Sequence, residues 1–285
     1  MATETWNANA FSPILMTELQ RKGGLMETVM VDSGLNDAEY EYRDTMGKLD
    51  LKRKQGRLQD TAWEEITKYR RRIMREEFTK HIILDKFDKL NWKVDPTAAI
   101  PQELAMGAKR TIDDLIITNM TADVKTGQAG GTTTPFDANN IVAHDSTNIT
   151  KAKIIEARKI LRANYVDFSE ELYMVIGSEQ EAAMLAIDEF ISADYIANKP
   201  MVNGQIGTVL GLNVVINEGL DVSSSVRKCL VYPKSAFQLL IADEFKTRMD
   251  EVQTKEYASG FSASLAIGGL RMYEGKVAQI LCDES

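Results

Sequence analysis

The sequence predicts an α+β fold that carries a charged β projection. Three observations predict it. Leu104, Ala108, Ile112, Leu115, Ile116 and Asn119 recur at helical spacing and mark one long helix with a single apolar stripe. From Ala236 to Cys282 the pattern is mostly β. Between the N-terminal residues and the long helix, residues 48–80 are dense in charge and sparse in apolar side chains.

Taken in order, residues 1–25 read as an arm. Phe11, Ile14, Leu15 and Leu19 give a short helical period, which Gly23-Gly24 ends. Leu25 to Ser33 reads as a strand. The turn signal Ser33-Gly34-Leu35-Asn36-Asp37 follows, and Tyr40 to Thr45 returns as a second strand. Residues 48–80 then carry a net charge of +5, so the rest of a chain of net charge −8 carries −13. So few apolar residues cannot build a core of their own. The segment is expected to be a solvated projection or to lie on another chain.

Pro101 falls in the first turn of the long helix or at a kink near its start. Lys125 to Thr134, rich in Gly and Thr, reads as a flexible connection. Thr150 caps a second helix that carries Ile154, Ile155, Ala157 and Leu161. Leu172 to Ile176 is a buried strand. Ser178 with Glu181 forms a capping box for a third helix, to about Asp188. Leu210 to Asn217 and Cys229 to Tyr232 are further strands. The closing strands break at Gly268-Gly269 and at Glu274-Gly275.

Composition excludes several function classes. The net charge of −8 argues against a dedicated nucleic-acid binder with a basic body. Two cysteines, Cys229 and Cys282, and two histidines, His81 and His144, leave little room for a cysteine zinc site, a disulfide framework or a transition-metal enzyme. No stretch approaches the ~18 apolar residues of a membrane span. Met1 to Asn9 lacks the basic start and apolar run of a secretory signal, so a reducing cytoplasm is expected. As one compact globule, a chain of this mass would expose roughly 12,000 Å².

The candidate chemistry is thin. Gly127 to Thr132 resembles a phosphate-cradling loop but lacks the Gly-Lys-Ser/Thr ending. Asp113-Asp114 and Asp243-Glu244 are sequence neighbours that do not face each other, and they read as solvated or salt-bridged. Ser178 has no Gly-x-Ser-x-Gly elbow. Cys229 reads as a small core hydrophobe. No catalytic, cofactor or metal residue is assigned. Lys68 to Arg75 holds five basic residues in eight. A nucleic-acid patch is one reading and a solvated face another. The charge arithmetic suits a third, in which a basic projection docks on an acidic neighbour of the same kind. The candidate intersubunit contacts are Arg53, Arg57, Arg70, Arg71, Arg72 and Arg75. Replacing Arg70, Arg71 and Arg72 with Glu is then expected to block assembly and leave the subunit folded.

A family resemblance enters at these residues. Leu84 to Leu90, followed by Val94-Asp95-Pro96-Thr97, is similar to the junction into the spine helix of tailed-bacteriophage major capsid proteins of the Hong Kong 97-type fold. Ala105 to Ile117 looks like that helix. Lys151 to Leu161 and Leu172 to Gln180 look like the start of the axial domain. Asp194-Tyr195, Asn198-Lys199-Pro200 and Gly204 to Leu212 resemble its later part. Tyr257 to Glu274 and Val277 to Cys282 look like the closing strands. The likeness covers residues 80–285, and loosely the rest, and order and spacing carry it rather than any one motif.

The resemblance implies a layout. Residues 1–39 would be the arm, 40–80 the extended loop, 81–149 a peripheral domain with the spine helix, 150–235 the axial domain, and 236–285 the closing strands. It implies no enzyme activity and no cofactor. Hexamers and pentamers of the chain would tile an icosahedral shell around double-stranded DNA, which they touch only weakly. A scaffolding protein and a portal are implied partners, with assembly in the bacterial cytoplasm. A loop lysine that cross-links to a neighbour is not assigned among Lys48, Lys52, Lys54 and Lys68. The alternatives are an encapsulin-like cellular compartment, a nucleotide-binding enzyme using Gly127 to Thr132, and a DNA-binding module using Lys68 to Arg75.

Overall fold

In a computed structural model, the described residues are 24–32, 39–51, 63–85, 99–187 and 207–284, together with Arg53, Gly56, Phe87 and Thr97. The expected arm helix, the Ser33 to Asp37 turn and the segment from Asp194 to Gly204 lie outside them.

The chain opens with a 3-10 turn, Leu25–Thr28, and β1 (Met30–Asp32). β2 (Tyr40–Met46), β3 (Lys68–Met74) and β4 (Glu76–Leu84) lead to α1 (Ala99–Thr121). β5 (Val124–Thr126), β6 (Thr132–Thr134) and β7 (Ile141–Val142) precede α2 (Lys151–Ala163). β8 (Leu172–Ile176), α3 (Ser178–Leu185), β9 (Thr208–Val209), β10 (Leu212–Ile216), β11 (Val222–Ser223) and β12 (Val226–Pro233) follow. Two long strands, β13 (Phe237–Val252) and β14 (Ala258–Arg271), and then β15 (Ala278–Asp283) complete the fold.

These strands form three sheets among the described residues. The peripheral sheet has the order β1-β13-β14-β4, and the loop-root sheet β2-β3-β5-β6. The axial sheet runs β7-β15-β12-β8-β10-β9, with β11 on β12. It is mixed: β8 and β10 are parallel, as a connection through α3 requires, whereas β12 is antiparallel to β8 and β15. Its central strands β8 and β12 are buried along nearly all their length, which explains their unbroken apolar runs. One hydrophobic core spans α1, α2, the axial sheet and the inner half of the peripheral sheet.

The long helix forms as its stripe predicts, and Pro101 falls in the first turn, where its missing N–H costs no helical bond. Thr150 caps α2 by accepting from the Lys153 amide. On that helix Ile154, Ala157 and Leu161 are buried, but Ile155 is exposed. α3 corrects the expected cap: the N-cap is Gly177, whose amide donates to Oε1 of Gln180 at 3.2 Å. Leu25 to Thr28 is a turn rather than a strand, because the Thr28 hydroxyl donates to the Leu25 carbonyl at 2.7 Å. The Gly/Thr segment is no loose connection. It closes the β5–β6 hairpin, with Gly127 and Gly130 at positive φ.

Gly268-Gly269 does not break β14, which runs through both residues. A Cβ on Gly268 would collide with the Met74 carbonyl oxygen, and one on Gly269 would lie 2.6 Å from the Phe237 ring. Glycine stands there because the loop root and a neighbouring ring approach the strand closely. The break at Glu274-Gly275 does occur, as a 3-10 turn over Glu274–Lys276.

Candidate functional site

The basic segment is anchored at its root by strand periodicity. In β3, Arg70 and Arg72 point to one face, and Arg71 and Ile73 to the other. Arg70 makes a paired contact with its cross-strand neighbour Asp44, Nε to Oδ1 at 2.6 Å and Nη2 to Oδ2 at 2.8 Å. That guanidinium holds the Asp44 carboxyl below its ordinary value. The Arg70 guanidinium also sits 5.4 Å from the Tyr42 ring, and Arg72 stacks 4.5 Å from the Tyr40 ring. Gly130 leaves room for Arg72, whose Cδ would lie 2.9 Å from a Cβ there.

On the inner face, Arg71 Nη1 donates to Glu274 Oε1 at 2.8 Å and to the Arg271 carbonyl at 2.9 Å. Ile73 is fully buried with Leu240 and Leu270. Arg75 pairs with Glu77 at 2.8 Å. The expectation that all of 48–80 lies outside a core therefore fails from Lys68 onward. Alternation supplies each second residue of β3 to an inner face, which a count of apolar residues overlooks.

Of the six arginines singled out by sequence, the fold brings Arg70, Arg71, Arg72 and Arg75 together on and just after one strand. Arg53 is exposed, and Arg57 lies outside the described residues. Arg70, Arg71 and Arg75 meet carboxylates of their own chain. Arg72 meets an aromatic face instead.

Beyond the root, the segment presents apolar side chains to solvent. Leu51 is fully exposed and Trp63 is 91% exposed, and Met46, Leu49 and Ile66 are exposed as well. The whole chain exposes 18,888 Å², half again the roughly 12,000 Å² of a compact globule of this mass.

Three buried charges escaped the sequence reading. Arg271 is fully buried, and its Nη1 donates to the Met120 and Ala122 carbonyls at 2.7 and 3.1 Å. It satisfies carbonyls at the end of α1 and places a cation at the negative helix terminus. Lys153 Nζ donates to the carbonyls of His144, Thr147, Asn148 and Leu281. Asp113, read as a surface acid, is only 1% exposed. Its signal was in the sequence: Asp113, Ile116, Ile117 and Met120 share one buried helical face.

The candidate chemical groups lie apart among the described residues. The amide of Gly127 is bonded to the Arg70 carbonyl and that of Gly130 to the Gly127 carbonyl, so these donors serve the hairpin rather than a phosphate. His81 is an exposed strand residue. His144 Nδ1 accepts from the Ser146 amide. Cys229 and Cys282 are buried free thiols, with Sγ atoms 3.9 Å apart. No group of three or more His, Cys, Asp or Glu side chains among the described residues is placed to hold a metal ion. No helix among them is long and apolar enough to cross a membrane.

Comparison with solved structures finds this fold in phage capsids. A structure of Mycobacterium phage Che8 superposes with a TM-score of 0.73 at 15% identity, covering 98% of each chain. The capsid of cyanophage Pam1 gives 0.71 at 13% identity over 99% of each chain. The capsid of Ralstonia phage GP4 gives 0.70 at 11% identity over 97% of this chain and 95% of that one. The architecture of long helix, loop root, mixed axial sheet and closing strands is thus the Hong Kong 97-type capsid fold. No curated protein matches the sequence. The phage capsid protein family matches residues 4–284, nearly the full length, and the chain belongs to that family.

Proposed function

We infer that this chain is the major capsid protein of a tailed bacteriophage, a structural subunit and not an enzyme, which tiles the icosahedral head around double-stranded DNA. The observation that carries the reading is the loop beyond β2. Leu51 and Trp63 are almost wholly in water, on a chain whose surface far exceeds that of a globule of its mass. Exposing such side chains in a stable monomer is unfavourable. Laying them on an adjacent copy moves hydrophobic burial from the subunit to the interface.

The basic loop is assigned to neighbouring subunits rather than to DNA. A strongly basic inner wall would hold packaged DNA by counterion release, whereas a +5 segment on a body of −13 complements a second copy. Arg53 and Arg72, which have no carboxylate partner among the described residues, are the arginines best placed to meet one. Each contact is weak, and repetition over a closed surface stabilises the whole. Scaffolding protein and portal are the assigned assembly partners. The host cytoplasm is the site of assembly, and the virion the final location.

Electron microscopy of the purified chain and of particles from producing cells tests this. Closed shells, with nucleic acid inside the particles from cells, are expected. Leu51→Ser with Trp63→Ser should leave a folded subunit that forms no shells. A folded wild-type monomer that never assembles, or shells unaffected by the double variant, would overturn the reading. Particles filled with protein rather than nucleic acid would identify a cellular compartment instead.

A further inference from the structure

Asp113 sits at the middle of α1, and its carboxylate joins three separate parts of the chain. Oδ1 accepts the Leu25 amide at 3.0 Å, and Oδ2 accepts the Gly24 amide at 3.1 Å and the Asn217 side-chain amide at 2.9 Å. Gly24 and Leu25 begin the segment that follows the arm. Asn217 directly follows β10 of the axial sheet, where its own backbone amide donates to the Ile176 carbonyl.

The segment is held at other points too. Leu25 and Val29 are buried in the common core. Thr28 meets the Tyr232 hydroxyl from β12 of the axial sheet at 2.7 Å. β1 pairs in parallel with β13 of the peripheral sheet, Met30 opposite Gln238. Asp32 accepts from Arg43 of β2 at the loop root. Residues 24–32 thus run from the axial sheet to the peripheral sheet across α1 and end at the extended loop.

We propose that residues 24–32 are a latch across the joint between the axial and peripheral sheets, with Asp113 as its catch, so that arm and loop are coupled to the tilt of the axial unit. The physical reason is shared satisfaction. The buried Leu25 amide and the part-buried Gly24 amide on the strap, and a buried side-chain amide on the axial sheet, depend on one carboxylate. Tilting the axial sheet away from α1 withdraws Asn217 from the shared carboxylate and Tyr232 from Thr28 together, so the strap loses one partner directly and the carboxylate that holds its amides loses another. A neighbour that pulls on the arm or the loop meets the same joint from the other side. Asp113 is a positioning residue, and the coupling it carries must be reciprocal.

Hydrogen exchange on the full-length chain tests this. Asn217→Ala on the axial sheet should raise exchange in the peptide covering Leu25 to Val31 by about fivefold or more, the lower range of a coupling of this kind. Thr28→Val on the strap should raise it at Val214 to Leu220 to a similar degree. The β5–β6 hairpin should be unchanged in both. Asp113→Asn should release both sides at once. If that variant does not fold, the two milder ones decide. Exchange that rises only beside each substituted residue would reduce Asp113 to a local cap and overturn the latch.

Discussion

The hydroxyls of Thr28 and Tyr232, 204 residues apart in the chain, lie 2.7 Å apart in the interior. Thr28 has one hydroxyl proton and gives it to the Leu25 carbonyl, so Tyr232 donates to Thr28. Tyr232→Phe keeps the ring and removes this bond, leaving a buried acceptor short of a partner. A loss of about 1–2 kcal/mol is expected. It should be read as a lower urea midpoint at unchanged slope.

The same phenol and its neighbour Tyr173 set the alkaline limit. Burial pushes Tyr173 up to about 12, helped by the Glu171 carboxylate that accepts its proton at 2.7 Å. Burial pushes Tyr232 in the same direction. An unfolded tyrosine ionises near ~10. The folded state therefore favours the neutral phenols. The stability they contribute is fully present below pH ~10 and is lost as pH rises from there toward about 12. The urea midpoint should be flat to about pH 9.5 and then fall. The part of the tyrosinate absorbance that Tyr232→Phe removes should appear together with unfolding, not before it.

Gly268→Ala should destabilise by about 3 kcal/mol, the upper range of overpacking, because the obstacle is the Met74 carbonyl rather than a side chain that can turn away. Gly269→Ala meets the Phe237 ring and should cost a similar amount. Gly131→Ala, with open space around it, is the control and should be neutral. Thermal melts of the three variants check this ordering.

These glycines show what the sequence discloses and what it hides. Periodicity disclosed α1, α2 and the closing strands, because each buries one continuous face that only its own residues decide, and an unbroken apolar run disclosed β8. The order of segments disclosed the family. Gly268-Gly269 read as a break, because a single chain cannot show that a distant carbonyl from β3 packs against them. Asp113 and Arg271 read as a surface charge or went unnoticed for the same reason: groups that satisfy them come from far along the chain. Lys153 went unnoticed because its carbonyls come from the fold of the preceding turn and from β15. Their adjacency to buried positions was visible, but which groups would meet them was not.

Lys153 illustrates the cost of removing such a charge. An ammonium has three N–H groups, and four carbonyls surround this one at 2.6 to 3.1 Å. They come from the 144–148 turn and from β15, so the lysine fastens the last strand to α2. Lys153→Met preserves the stem and abandons the carbonyls. A loss of about 3 kcal/mol is expected, with a fall in Tm of about 6–12 °C for a chain of this size. Limited proteolysis should then cut first near the C-terminal strand.

Charge reversal on the basic segment must separate folding from assembly, and the six arginines do not all permit it. Arg71→Glu would set a carboxylate against Glu274, in a site where the arginine side chain is only 12% exposed. Breaking a buried pair in this way costs about 3–5 kcal/mol. Arg70→Glu faces Asp44 across the strand pair, and repulsion there loosens the loop root as well. The triple reversal at Arg70, Arg71 and Arg72 is therefore expected to damage the subunit itself, and shells lost by that variant would say nothing of contacts. Arg53→Glu touches an exposed site, and Arg72→Gln removes a charge while keeping a long side chain over Tyr40. Both should melt within about 2 °C of the parent, as surface changes do. If the segment docks on a second copy, each should slow shell formation, more so at low salt, and the pair should stop it. Sedimentation of the assembly mixture, with the melts as control, measures this. Shells that form at the parental rate from the folded double variant would remove the arginines from the interface and leave the exposed Leu51 and Trp63 to hold it alone.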